Sequence, residues 1–182
     1  GFVFEHYAYG DFAARLEIDN WRKRTPATFS DAVERMAANQ DPRTKRLAPL
    51  IAPELLAFIR KHKDEIDAAI QHARDFSFSY FGFETLKRTY LWKLGDGTPV
   101  ERPQYFWMRV ALAIHFPDLP AALETYDLMS RRVFTHATPT LFNAGTLHPQ
   151  MSSCFLAQVT EDSIGGIYQT LTRCTEISKY AG

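Results

Sequence analysis

The sequence predicts a mainly α-helical chain that turns, near its end, to a loop, a short strand and a last helix. Three observations predict this. Apolar residues recur at three- and four-residue spacings through most of the 182 residues. Prolines and small polar residues stand at the openings of those runs, where they suit the first turn of a helix. From about residue 136 a turn-rich segment breaks the pattern and leads to a short apolar run.

The elements follow in order. DFAARLEIDNWRKR (11–24) places Phe12, Leu16 and Trp21 near one side of a helix, with Asp11–Arg15 and Asp19–Lys23 as opposite charges four apart. Thr25 and Pro26 end it, because the residue before proline is pushed away from helical angles. SDAVERMAAN (30–39) predicts a short helix capped by Ser30, and 39–49 a polar connector. Pro53 opens one longer helix through 74, with Leu55, Leu56, Ile59, Ile66 and Ile70 at helical spacings. FSFSYF (76–81) alternates and predicts a short strand before helical spacing returns through Phe83, Leu86 and Tyr90. GDG (95–97) is a turn.

Pro103 starts PQYFWMRVALAIH, apolar nearly all round and therefore buried. Asp118 caps the next helix, with Leu123, Tyr126 and Met129 inward. After the loop 135–150, SCFLAQV (153–159) is the strongest strand candidate. Asp162 or Ser163 caps a last helix whose stripe is Ile164, Ile167, Leu171, Cys174 and Ile177 or Ser178. On that stripe Cys174 reads as a packed thiol acting as a small hydrophobe.

Composition excludes several classes. Twenty-one basic and 21 acidic residues cancel, which argues against a nucleic-acid or anionic-membrane surface. No apolar run approaches the roughly 20 residues that span a bilayer, and GFVFEHYAYG is not a secretory signal. Two cysteines and six scattered histidines make neither a disulfide framework nor a metal site. A reducing, cytoplasmic setting is the default expectation.

The residues that could carry chemistry gather between 137 and 163, in ATPTLFNAGTLHPQMSSCFL and the helix start that follows. Thr138 offers a loop hydroxyl, Ser152 and Ser153 precede the thiol of Cys154, and Asp162 sits at a helix start. Hydroxyls and N–H groups on such a loop can cradle a phosphate or a sugar. Cys154 has two readings: Phe155 and Leu156 suit a buried strand, while the polar loop before it suits a pocket. Asp162 likewise reads as a cap opposing the helix dipole, or as a ligand as well.

From Asp11 onward the chain resembles the large, catalytic subunit of ribonucleotide reductases, class I of the eukaryotic type. DFAARLEI, YFGFETLKRTYL, ERPQYFWMRVALAIH, FTHATPTLFNAGTLHPQMSSCFL, EDSIGGIYQTL and ISKYAG follow in that family's order and spacing. The resemblance implies a helical domain over 11–135 and, over 136–182, the first strand and helix of a ten-stranded α/β barrel. Residues 1–10, an N-terminal leader, are left unplaced by it.

It also implies roles. Thr138 and Ser153 correspond to hydroxyls that hold the ribonucleoside diphosphate, and Cys154 to one of the redox-active cysteine pair. Asp162, Ser163, Ile164 and Lys179 correspond to the specificity site, where a deoxynucleoside triphosphate or ATP binds at the dimer interface. No cofactor is expected on this segment. The radical would come from a metal-containing small subunit, or from adenosylcobalamin if the chain were class II. Expected partners are the remaining C-terminal part of the catalytic subunit, a second large subunit, the small subunit, and thioredoxin or glutaredoxin. The partner thiol, the radical cysteine and the catalytic asparagine and glutamate lie outside these residues, so the isolated chain is expected to be inactive. The reading from another class is a non-catalytic nucleotide-binding and dimerisation module.

Overall fold

A computed structural model describes His6 and residues 8–181. The chain is mainly helical. Among the described residues nine α-helices run in order: α1 (Ala8–Arg24), α2 (Phe29–Ala37), α3 (Pro53–Lys61), α4 (Lys63–Ala69), α5 (Tyr80–Thr85), α6 (Pro103–His115), α7 (Leu119–Ser130), α8 (Thr138–Asn143) and α9 (Ile164–Ala181). A 3₁₀ segment (His72–Ser77) precedes α5, and a π-helical turn (Leu86–Tyr90) follows it. Among the described residues there is no sheet, only two isolated bridges, Gln40 with Leu47 and Lys93 with Pro99. Of the N-terminal decapeptide, residues 1–5 and 7 lie outside the described residues, and 8–10 belong to α1.

The core forms around α6, where Tyr105, Phe106, Met108, Val110, Ala111 and Leu112 are all shut from solvent, as all-round apolarity predicts. Pro103 opens the helix. α7 packs along α6, and Asp118 caps it as expected, its carboxylate accepting the Ala121 N–H at 3.1 Å. Tyr126 and Met129 point inward.

Several expectations are corrected. The buried face of α1 is Ala14, Ile18 and Trp21, while Phe12 and Leu16 are 60% and 50% exposed. At 100° per residue, Phe12 and Leu16 fall on the side opposite Trp21, so the three never shared a face. Thr28, not Ser30, caps α2: its hydroxyl accepts the Asp31 N–H, and Ser30 instead donates to Asp67 at 2.6 Å. The helix opened by Pro53 breaks at His62, whose φ of −112° and ψ of 23° leave the helical range. Leu55, Ile59, Ile66 and Ile70 still reach the core, from two helices and the residue that caps the second instead of from one helix.

Residues 76–81 are not a strand. Ser79 caps α5 by accepting the Gly82 N–H at 3.2 Å, and Phe81 faces solvent. The alternation of aromatic and serine residues has a different origin, a 3₁₀ segment running into a cap. Asp75 in that segment is fully buried at the start of α6, where its carboxylate accepts the Gln104 N–H at 3.1 Å. Arg22 stands 3.8 Å from its other oxygen. Burial dominates there and pushes Asp75 up to about 6, against the pull of the helix start and of Arg22.

Candidate functional site

The expected loop 135–150 contains a helix, α8, and its anchorage organises the region. Leu141 is its buried contact with the core. Beneath it lies a charge pair with no exposure: Arg109 Nε donates to Glu101 Oε1 at 2.5 Å, and Nη2 to Oε2 at 3.3 Å. The same guanidinium donates to the Ala144 carbonyl at 2.6 Å and the Leu141 carbonyl at 3.4 Å, and lies 3.7 Å from the Trp92 ring centroid. Glu101 also accepts the Trp92 N–H at 2.9 Å. Two buried charges tolerate desolvation only when such bonds satisfy them. Here the bonds go to the Leu141 carbonyl in α8 and to the carbonyl of Ala144, the residue that caps it, so the ion pair anchors the end of that helix.

Gly145 follows with φ of +86°, a left-handed conformation, and its carbonyl accepts the Ala52 N–H at 2.9 Å. A side chain at 145 would stand 3.1 Å from Leu55 and 3.3 Å from Arg109, so both conformation and space favour glycine.

α8 also holds the chain that leads to the thiol. Thr140 Oγ1 donates to the Met151 carbonyl at 3.1 Å, and Asn143 Nδ2 to the Gln150 carbonyl at 2.7 Å. Thr138, first residue of α8, presents an exposed side chain, with its hydroxyl 3.1 Å from the Tyr90 hydroxyl. Three residues after Met151 comes Cys154, exposed and free, its sulfur 3.9 Å from Ser153 Oγ. The structure thus ties Thr138 and the approach to Ser153 and Cys154 to one small helix.

Two expectations about the thiols are corrected. Residues 153–159 form no strand: they are exposed and make no ladder bonds. A strand needs a neighbouring edge to pair with, and no edge lies beside this segment among the described residues. Cys174 is exposed, not packed, because the apolar stripe of α9 meets no core; Ile164, Ile167 and Leu171 are exposed with it. Cys154 is exposed as well, on the segment that follows α8.

At the start of α9 Ser163 is the cap, accepting the Gly166 N–H at 3.0 Å and donating to Glu161 Oε2 at 3.1 Å. Asp162 and Ile164 are exposed beside it. Lys179 is exposed near the other end of the helix. With about 1.5 Å of rise per residue, it stands more than about 20 Å from Ile164 along the axis. Lys179 therefore does not converge with Asp162, Ser163 and Ile164 within one chain.

Sequence reasoning missed Tyr90, Glu101 and Arg109. Glu101 and Arg109 are eight residues apart with one of them outside the helix, so no i,i+4 pattern flags them. Tyr90 reaches Thr138 across 48 residues, a separation no local rule spans.

A family model described as "Ribonucleotide reductase, all-alpha domain" matches residues 76–149. The chain is 51% identical over 178 residues to the ribonucleoside-diphosphate reductase large chain of Schizosaccharomyces pombe, covering 98% of this chain and 22% of that protein. It is 49% identical over 177 residues to the large subunit of Dictyostelium discoideum, covering 97% and 20%. To the large subunit of Monkeypox virus it is 47% identical over 178 residues, covering 98% and 23%. The chain spans about a fifth of the length of these relatives.

Proposed function

Because the chain belongs to the large-subunit family of ribonucleotide reductases, we propose that it supplies one wall of the substrate pocket and one reducing thiol of a ribonucleoside-diphosphate reductase. The observation that carries this reading is identity near 50% over 97–98% of the chain. Within the structure, an exposed thiol tethered through α8 to an exposed hydroxyl supports it.

In this reading Thr138 and Ser153 hold the ribonucleoside diphosphate by hydroxyl hydrogen bonds, and Cys154 is one of two thiols that reduce it. The ribose 2′-hydroxyl leaves as water, carbon 2′ gains a hydrogen, and two thiols lose two electrons in forming a disulfide. The second thiol comes from elsewhere in the subunit, within about 4.4–6.8 Å between α-carbons when the bond forms. Thioredoxin or glutaredoxin then restores both thiols by exchange. A radical supplied by a small subunit starts the chemistry. The relatives' names speak of large chains and subunits, which supports that two-subunit reading and lends none to the adenosylcobalamin alternative.

Asp162, Ser163 and Ile164 of one copy, with Lys179 of a second, form the effector site. The N–H groups at the start of α9 favour the phosphates of a deoxynucleoside triphosphate or ATP. This makes the exposed stripe of α9 a homodimer surface, and the segment from 136 onward the entry to the barrel.

The test places Cys154→Ser in the complete large subunit, assayed with its small subunit and a thioredoxin system. Multiple turnover is expected to fall to background. Unchanged turnover overturns the redox role. Deoxynucleotide binding by a complete subunit that shows no reductase activity at all favours the non-catalytic module instead.

A further inference from the structure

We propose that Tyr90 is a positioning residue for the substrate: it orients the Thr138 hydroxyl, and so sets affinity for the nucleoside diphosphate without touching the reacting atoms. This rests on the reading of Thr138 as a substrate-binding residue.

Tyr90 closes the π-helical turn Leu86–Tyr90, in which the Leu91 N–H reaches back to the Leu86 carbonyl at 2.9 Å. Such widened turns re-aim a side chain relative to a regular helix and recur at functional sites. The ring is held on two sides: it stacks on Phe142 of α8 with centroids 5.0 Å apart and planes 25° apart, and lies 6.1 Å from Phe106 of the core helix α6. A half-buried ring fixed in this way brings its hydroxyl to 3.1 Å from Thr138 Oγ1.

The other end of α8 is tied to Arg109, whose bonds to the Ala144 and Leu141 carbonyls oppose sliding or turning of the helix. A threonine hydroxyl has one proton and two lone pairs. When the more acidic phenol donates to it, the Thr138 proton is left to point outward, toward an acceptor oxygen of a bound nucleotide. Without the phenol, that rotor has no fixed direction.

The experiment compares Tyr90→Phe, Thr138→Val and the double variant in the complete large subunit with its small subunit, alongside thermal melting. Tyr90→Phe keeps both ring contacts and removes only the hydroxyl. It is expected to raise KM for the diphosphate about three- to tenfold, the effect of one hydrogen bond, with kcat and Tm held. The double variant is expected to be no worse than Thr138→Val alone, because the phenol acts through that hydroxyl. Thr138→Ser, which keeps the oxygen, should keep wild-type KM only while Tyr90 is present. If Thr138→Val raises KM and Tyr90→Phe does not, or if the two effects add, the positioning role is wrong and the pocket assignment stands. If Thr138→Val itself leaves KM unchanged, the pocket assignment fails and the role of Tyr90 falls with it. A lowered Tm in Tyr90→Phe accompanying any KM change assigns Tyr90 to the scaffold instead.

Discussion

Residues 9–151 and residues 152–179 bury their apolar side chains to opposite extents. In the first, α6 is sealed on every side from Tyr105 to Leu112. In the second, Ile164, Ile167, Tyr168 and Leu171 are each more than half exposed. The first region meets its own packing needs and even buries an ion pair; the second carries the free thiols and most of the candidate ligands on a surface that buries little within this chain. The difference separates stability from chemistry. The folding energy lies in the body, and the body acts on the candidate site through α8, which grips Gln150 and Met151, the last residues before the second region.

That separation can be broken most severely at Arg109. Replacing it by methionine leaves Glu101 buried without its partner and releases the Ala144 and Leu141 carbonyls. The expected loss is about 3–5 kcal/mol in urea unfolding. A loss under about 1 kcal/mol would mean that α8 is held by packing alone.

The next effect lies at Asp75 and depends on pH. A carboxyl raised to about 6 in the fold, from 3.8, binds its proton more tightly when folded. Its contribution is therefore fully present below the unfolded value and is lost as pH rises from about 4 to about 6. Asp75→Asn removes that dependence. The stability of the variant relative to wild type should climb across this window by about 1–3 kcal/mol and level off above it. Parallel urea midpoints at both ends of the window check this, and a constant difference would contradict it.

The smallest effect sharpens the contrast. Ile167→Ser and Leu171→Ser on α9 remove large apolar groups, yet each should change the unfolding midpoint of the body by no more than about 0.5 kcal/mol. The same substitutions at buried positions would cost several times more. A large loss would show that α9 is packed against the body in solution.

Much of the helical organisation was legible locally. Pro53, Pro103 and Asp118 mark helix starts through rules that act within one turn, and α6 and α7 stand where those rules place them. The buried face of α1 does not follow side-chain size: Phe12 and Leu16 are as large as core residues, yet the helical angle sets them opposite Trp21 and they face solvent. At 153–159 the limit is different: an apolar run states a need for burial, not the presence of a partner edge, and the segment is exposed. Of the candidate site, the residue types and their order could be read from the sequence, whereas their supports could not. Thr138 and Cys154 are visible in a motif; Tyr90 and Arg109 matter only because the chain returns to them after dozens of residues.

The sequence by itself determined the helical class, most helix starts and the family, because capping, proline geometry and a collinear set of motifs are properties of neighbouring residues. Only the tertiary structure decided which hydroxyl meets Thr138, which charges are buried as a pair, and which cysteines face solvent. Those outcomes depend on burial and on contacts between distant segments, which exist only once α6 has gathered the rest of the chain around it.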